Sequence, residues 1–295
     1  MVIYYLIPKV NYLRPKTKEE CLKLINELRD FKVLAGGTDL VVDLKIGRFR
    51  VKNLVDISRL PELRFIKNEE RQLRIGACVT LQELLESKVV KEKLPVLYEA
   101  IDSMASWQIR NLATIGGNLC NASPAADTAP PLYVLNAKLV LESVNGARVV
   151  NVEEFFLGPR KTALKPNEIL TEIIIPYPQG KAGMKFIKLG RRTSFTLSVV
   201  AVAALVNVED RVFKDVRIAL NSVAPTPVRA RSVESRLVGK EVSLSNIYEA
   251  SKYVLNDIKP ISDVRASAEY RREMSIVLTK DAIIGALNSI GITPS

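Results

Sequence analysis

The 295-residue chain contains no histidine. That absence excludes Ser-His-Asp and Cys-His catalysis, the HExxH zinc site and haem held by a proximal His. Cysteine is scarce. Cys21, Cys78 and Cys120 are far apart, odd in number and form no CxxC. Three thiolates cannot complete an all-cysteine iron–sulfur site, so this chain alone supplies none. Long apolar runs are missing too. The longest, Leu197 to Val206, is half of the ~20 residues a membrane helix needs, so no membrane span is expected. Met1 to Val10 has no basic n-region and no small-residue cleavage site, which leaves the cytoplasm as the expected compartment. Aromatic residues make up only 6%, without the basic–aromatic interleaving of nucleic-acid binders. Chemistry here must come from an organic cofactor, from carboxylates and lysines, or from a partner chain.

What is present is a globular composition. Hydrophobic residues are 47% and charged residues 25%, which argues against disorder and collagen. The length suggests two domains. Lys and Arg total 43 against 32 Asp and Glu, a net charge of +11. Such a balance attracts acidic proteins, phosphorylated ligands and polyanions. The basic residues form only doublets, such as Arg191-Arg192 and Arg271-Arg272, so no nucleic-acid partner is expected.

Along the chain, Tyr4 to Val10 reads as a strand and Thr17-Lys18-Glu19-Glu20 as a capping box. A helix to about Asp30 follows, then a strand over Lys32 to Ala35, a helix from Thr38-Asp39 to Gly47 and a strand over Asn53 to Ile57. This alternation implies a small α/β unit with parallel pairing. Arg64 to Cys78 reads as a hairpin, and Thr80-Leu81-Gln82-Glu83 opens further helices to about Ser106. Asn111 to Pro131 reads as one long loop, a length that hints at function. Strands over Ala137 to Ser143 and Arg148 to Val152 turn at Asn145-Gly146, and Ile169 to Ile175 adds another. Tyr177 to Gly180 marks a domain boundary. Beyond it, Lys185 to Lys188, Leu197 to Val208 and Val212 to Ser222 read as an antiparallel sheet with a turn at Glu209-Asp210. Helices follow near Pro227, over Ser243 to Asn256 and over Ala266 to Ile290. The last is expected to bury Tyr270, Met274, Val277 and Leu278.

Two glycine pairs stand out. One is Val33-Leu34-Ala35-Gly36-Gly37-Thr38-Asp39-Leu40; the other is Thr114-Ile115-Gly116-Gly117-Asn118. Adjacent glycines let consecutive amides point into one concavity, a nest that binds phosphate oxygens. The first pair also lies where a strand hands over to a helix start. Two facing nests would suit a diphosphate. Neither segment fits the Rossmann or P-loop pattern, and a lone Gly-Gly is usually only a turn.

These segments, with the second extended through Leu119-Cys120-Asn121-Ala122-Ser123-Pro124-Ala125-Ala126-Asp127, closely resemble the FAD-binding subunits of molybdenum hydroxylases. That family includes flavin domains of xanthine dehydrogenases and medium subunits of carbon monoxide dehydrogenases and archaeal aldehyde or glyceraldehyde oxidoreductases. Glu168-Ile169-Leu170 to Pro176, Phe186-x-Lys188-x-Gly190-Arg191-Arg192 and Pro227-x-Arg229-Ala230 resemble later landmarks, so the likeness covers nearly the whole chain. It implies an α+β fold. A two-part FAD-binding domain of the vanillyl-alcohol-oxidase (PCMH) type would span 1–178. A carbon monoxide dehydrogenase flavoprotein C-terminal-type domain, an antiparallel sheet covered by helices, would span 181–295.

Carried over by position, the resemblance assigns Val33, Leu34, Ala35, Gly36, Gly37, Thr38, Asp39 and Leu40 to FAD. It adds Thr114, Ile115, Gly116, Gly117, Asn118, Ser123 and Asp127, with Leu170 and Lys188 near the FAD rings. A solvent-facing salt bridge is the plainer reading of Lys188. Asp127 would bind FAD hydroxyls or hold its loop. Met104 stands where animal xanthine dehydrogenases carry an aromatic residue, with Trp107 nearby as an alternative or as plain core. Thr38-Asp39 replaces the His-Ser found in carbon monoxide dehydrogenases, which shifts the expected substrate from carbon monoxide toward an aldehyde, with carbon monoxide or purine oxidation by the complex as the alternative. Cys120 reads as a packed side chain, not a flavin link. The resemblance implies no catalytic or metal-binding residue on this chain. The molybdenum cofactor would lie on a large partner and [2Fe-2S] clusters on a small one, assembled as a dimer of heterotrimers. Stand-alone FAD reductases or oxidases are the other enzymatic reading.

Overall fold

The computed structural model describes residues 8–192 and 196–295. The chain opens with strand β1 (Asn11–Leu13), helix α1 (Lys18–Glu27), β2 (Phe31–Leu34), α2 (Leu40–Lys45) and β3 (Asn53–Asp56). The strand expected over Tyr4 to Val10 falls largely outside the described residues, and 8–10 are irregular. Both β1 and β2 pair in parallel with β3, which lies between them. Thr17 caps α1 by accepting from the Glu20 N–H at 3.1 Å. The return half of the expected capping box is displaced: the Glu20 carboxylate accepts from the Lys16 N–H at 2.6 Å. Cys21, Leu22 and Ile25 then bury one face of α1 in a small core with Val55 and Ile57.

Next come β4 (Ile66–Asn68), β5 (Gln72–Gly76), α3 (Leu81–Glu86), α4 (Lys88–Lys93), α5 (Pro95–Asp102), α6 (Trp107–Arg110), α7 (Ile115–Asn121) and α8 (Ala129–Val134). Thr80 and Glu83 form a complete capping box at α3. The long loop expected over Asn111 to Pro131 instead contains helix α7 and the start of α8. Its Gly-Gly-Asn composition disfavours helix, but Thr114 caps α7, and Ile115 and Leu119 are fully buried in the main core. Tertiary packing overrides propensity there.

The chain continues through β6 (Lys138–Ser143), β7 (Gly146–Asn151), α9 (Val152–Phe155), the small hairpin β8 (Phe156–Gly158) and β9 (Lys161–Thr162), and β10 (Ile169–Pro176). An antiparallel sheet forms in the order β4-β5-β10-β6-β7. Ser143 pairs with Gly146, so the turn residues are Val144-Asn145, one step earlier than expected. A register shift between Leu170 and Glu172 bulges β10 where it meets the cleft described below.

The remainder is an antiparallel sheet β11 (Ala182–Gly190), β12 (Ser198–Glu209), β13 (Val212–Asn221) and β14 (Val228–Arg229), with helices α10 (Arg231–Leu237), α11 (Leu244–Ser251) and α12 (Ala268–Ser289). Its tight turn is Asp210-Arg211, with φ of 51° and 59°, not Glu209-Asp210. Strand β12 is apolar without alternation because both its faces are buried. Ala201, Ala203 and Leu205 join the N-terminal core, while Val200, Val202, Ala204 and Val206 face the C-terminal helices. The buried face of α12 also differs from expectation. Leu278 is buried and Met274 packs half-buried against the core as expected, but Tyr270 and Val277 are exposed, and Arg271, Ser275, Thr279, Ala282 and Ile283 are buried instead. Arg271 is 1% exposed, and donates to the carbonyls of Val199 and Ser222 at 2.6 and 2.8 Å and to Asp263 at 2.7 Å. Its charge is paired and fully enclosed, a role apolar periodicity cannot reveal. No helix among the described residues is long and apolar enough to cross a membrane.

Candidate cofactor cleft

The two glycine segments meet. They line one cleft of about 440 Å³, shared with the bulged end of β10 and the β8–β9 hairpin. The cleft takes in Val33, Ala35, Gly36, Gly37, Thr38, Asp39, Leu40, Thr114, Gly116, Gly117, Asn118 and Leu170. The remaining assigned residues lie elsewhere. Leu34 is within β2, Ile115 and Met104 are in the core, and the Ser123 hydroxyl accepts from the Ala125 N–H at 3.2 Å. Trp107 is 60% exposed on α6, so it is not core.

The segments contribute differently. Ala35 to Asp39 leaves β2 and enters α2, and Gly37 takes a φ of +70°, open to glycine at little cost. The N–H groups of Gly36, Gly37, Thr38 and Asp39 find no acceptor among the described residues. That makes the first segment an open anion nest. At the second, the amides are already engaged. Ile115 donates to the Val79 carbonyl at 3.0 Å, Gly116 to Ala77 at 2.9 Å, and Gly117 to the Thr114 hydroxyl at 3.0 Å. Neither Gly116 nor Gly117 has a positive φ. Here glycine serves close approach: a Cβ at Gly116 would lie 2.6 Å from the Ala77 carbonyl oxygen. The expectation of two equivalent facing nests is thus corrected to one open nest opposite a capped helix start. Asn118 accepts from Thr128 Oγ1 at 2.6 Å, and its amide NH2 has no partner among the described residues. Removing the cap by Thr114→Val should cost about 1 kcal/mol in urea unfolding. Unchanged unfolding would show that the cap bond is dispensable.

Charge surrounds the nest. Burial holds the Asp39 carboxyl above its usual range, and Asp43 adds to this while Arg160 and Arg48 oppose it. Asp43 itself is buried between Arg48 and Arg160, at 2.5 and 2.7 Å. Burial pushes the Cys120 thiol up to about 12, so this cleft residue is a protonated packing group at neutral pH. Sequence reasoning passed over Arg160, Asp43 and Arg48. The one local signal was Gly158-Pro159, a turn dipeptide immediately before Arg160.

Lys188 and Asp127 form a buried ion pair at 2.8 Å, with side chains 8% and 5% exposed, not a solvent-facing bridge. Asp127 also accepts from Ser198 and Asn221, and Lys188 donates to the Ser103 carbonyl at 3.0 Å. The pair therefore stitches the α7–α8 segment to β11, β12 and β13.

Two family models match. Residues 8–178 match the FAD binding domain in molybdopterin dehydrogenase, and residues 185–286 match the CO dehydrogenase flavoprotein C-terminal domain. A putative xanthine dehydrogenase FAD-binding subunit from Escherichia coli (strain K12) is 35% identical, covering 95% of this chain and 97% of that protein. The glyceraldehyde dehydrogenase medium chain of Sulfolobus acidocaldarius is 33% identical over 93% of this chain and 97% of its own length. Among solved structures, a chain of carbon monoxide dehydrogenase from Hydrogenophaga pseudoflava superposes with a TM-score of 0.94 at 33% identity, covering 97% of this chain and all of the other. The chain is a flavoprotein subunit of the molybdenum hydroxylase family, built to bind FAD.

Proposed function

We propose that this chain carries the FAD of a molybdenum–iron–sulfur–flavin complex. It would receive electrons from iron–sulfur clusters of a small partner and pass them to an external acceptor. Substrate oxidation would occur on a large molybdenum subunit, with an aldehyde of the glyceraldehyde class as substrate. The observation that carries this reading is the cleft with its row of unpaired amides. A cradle of free N–H groups beside glycines suits a diphosphate, whose charge needs donors and close backbone approach. Bound FAD supplies the redox chemistry, while the chain binds and orients it. In this reading Gly36, Gly37, Thr38 and Asp39 present their amides to the diphosphate, and Thr114 and Asn118 close the opposite wall. Leu170 gives an apolar surface from the β10 bulge. Asp127 and Lys188 serve the site by fixing the segment that carries Asn118. The aldehyde assignment draws on the glyceraldehyde dehydrogenase relative and on Thr38-Asp39. Residues 1–178 would form the cofactor domain and 181–295 its C-terminal companion, in a cytoplasmic dimer of heterotrimers.

The purified chain should show oxidised-flavin absorption, and should release FAD, not FMN, on denaturation. Alone it should not oxidise aldehydes, whereas the assembled complex should do so with an artificial dye. A chain that neither holds nor takes up FAD defeats the reading. Aldehyde-dependent bleaching of flavin in the isolated chain would move the reaction onto this polypeptide.

A further inference from the structure

Gly36 lies close against the backbone of Leu112 and Ala113, just before the second segment, so the two stretches of chain approach closely near the nest. Away from that point, α2 and α7 run on toward the β8–β9 hairpin, and one residue there bonds to both. Arg160 Nη1 donates to Asp43 Oδ2 on α2 at 2.7 Å and to Asn121 Oδ1 at the end of α7 at 3.1 Å. Its backbone N–H donates to the Ala122 carbonyl at 2.9 Å. Ala122 is the left-handed C-cap of α7, with φ and ψ of 45°. Arg160 itself sits at a φ of 58°, a region where glycine would be the undemanding choice. An arginine there accepts backbone strain and brings a guanidinium that reaches both elements.

We propose that Arg160 is a positioning residue that fixes α2 and α7 at one separation, and so sets the affinity of the cleft for the FAD diphosphate. This rests on the FAD-carrying reading above. The geometry favours a strut. Asp43 is buried, and its other oxygen is held by Arg48 at 2.5 Å, so the carboxylate is a fixed anchor. Arg160 is 44% exposed in its side chain, so replacing it opens no buried cavity, and removing Asp43 strands no buried cation. Asp43 stays paired when Arg160 is replaced, and the fold should survive.

The test uses the full chain, stripped of cofactor, with FAD as the probe and flavin fluorescence as the readout. Wild type is compared with Arg160→Met, Arg160→Lys, Asp43→Asn and the Arg160→Met/Asp43→Asn double variant. Arg160→Met should raise the FAD Kd about tenfold, as loss of an outer support does. Asp43→Asn should weaken binding similarly, and the double variant should be no worse than the weaker single, because both cut one strut. Arg160→Lys should restore part of the affinity, since an ammonium can reach Asp43. Far-UV circular dichroism should stay native throughout. Should Asp43→Asn leave the Kd unchanged while Arg160→Met raises it, Arg160 is a direct ligand and the strut is wrong. Additive effects in the double variant would exclude the strut in the same way. Affinity unchanged in every variant makes the clasp idle. These outcomes all presuppose that wild type binds FAD; its failure to do so would overturn the FAD reading and the strut together.

Discussion

Gly36→Ala should abolish flavin retention and destabilise the protein by about 3 kcal/mol, the upper range for forced overpacking. The reason is a backbone collision. A Cβ at Gly36 would stand 1.9 Å from the Leu112 carbonyl oxygen and 2.6 Å from its carbon. Main-chain atoms cannot rotate away as a side chain can, so the two segments must separate. That separation opens the cleft on the side where the free amides of Gly36 to Asp39 lie. Gly117→Val provides the contrast. Its Cβ would meet the Thr114 hydroxyl at 2.8 Å and nothing else closer than Ala35 at 4.0 Å. A hydroxyl can turn aside, at the cost of the cap. Gly117→Val should therefore keep its circular dichroism while losing most of its FAD. Thermal unfolding and flavin content per chain measure both. Native stability in Gly36→Ala would mean that the close approach to Leu112 is looser than described. Full FAD occupancy in Gly117→Val would show that this glycine faces no part of the cofactor.

The two glycine segments differ in how far the sequence could reveal them. The first was legible as a site because its grammar is local: a β-strand, two glycines, then polar residues opening a helix. The unpaired amides follow directly from that order. In the second, low helix propensity conceals a helix that exists only because Thr114 caps it and because Ile115 and Leu119 are sunk in the core. No window of sequence contains Ala77 or Val79, whose carbonyls consume the amides of Gly116 and Ile115. The same limit hides Arg160, whose partners Asp43 and Asn121 come from two other parts of the chain. Periodicity served α1 and the hairpin strands well, though two of the hairpin turns lie one residue from the expected place. It was right only in part at α12, where Leu278 is inside but Arg271, Ser275 and Thr279 share the inner face and Tyr270 and Val277 do not. Two of these polar residues are buried through specific bonds, Arg271 to backbone carbonyls and Ser275 Oγ to the Arg271 carbonyl at 2.6 Å, while Thr279 Oγ1 has no partner among the described residues. Such bonds leave no hydrophobic signature.

The largest loss outside the cleft should follow Asp127→Ala. Three donors converge on this buried carboxylate: Lys188 from β11, Ser198 from β12 and Asn221 from β13. Alanine removes the acceptor from all of them and leaves the Lys188 ammonium enclosed with only the Ser103 carbonyl. Breaking a buried ion pair from one side costs about 3–5 kcal/mol, because the surviving charge keeps its desolvation penalty. Lys188→Met should cost less, since Asp127 retains two hydrogen bonds from neutral groups. The double variant Asp127→Ala/Lys188→Met should recover part of the loss, having no stranded charge. Flavin should follow stability in Asp127→Ala, because Thr128, the next residue, holds Asn118 at 2.6 Å beside the cleft. Denaturant unfolding of the three variants, with flavin content measured before each titration, separates the effects. If the double variant is as unstable as Asp127→Ala, the stranded lysine is not the cause, and the lost bonds from Ser198 and Asn221 must carry the whole cost. If Asp127→Ala unfolds like wild type, the carboxylate is not the link between the α7–α8 segment and the C-terminal sheet.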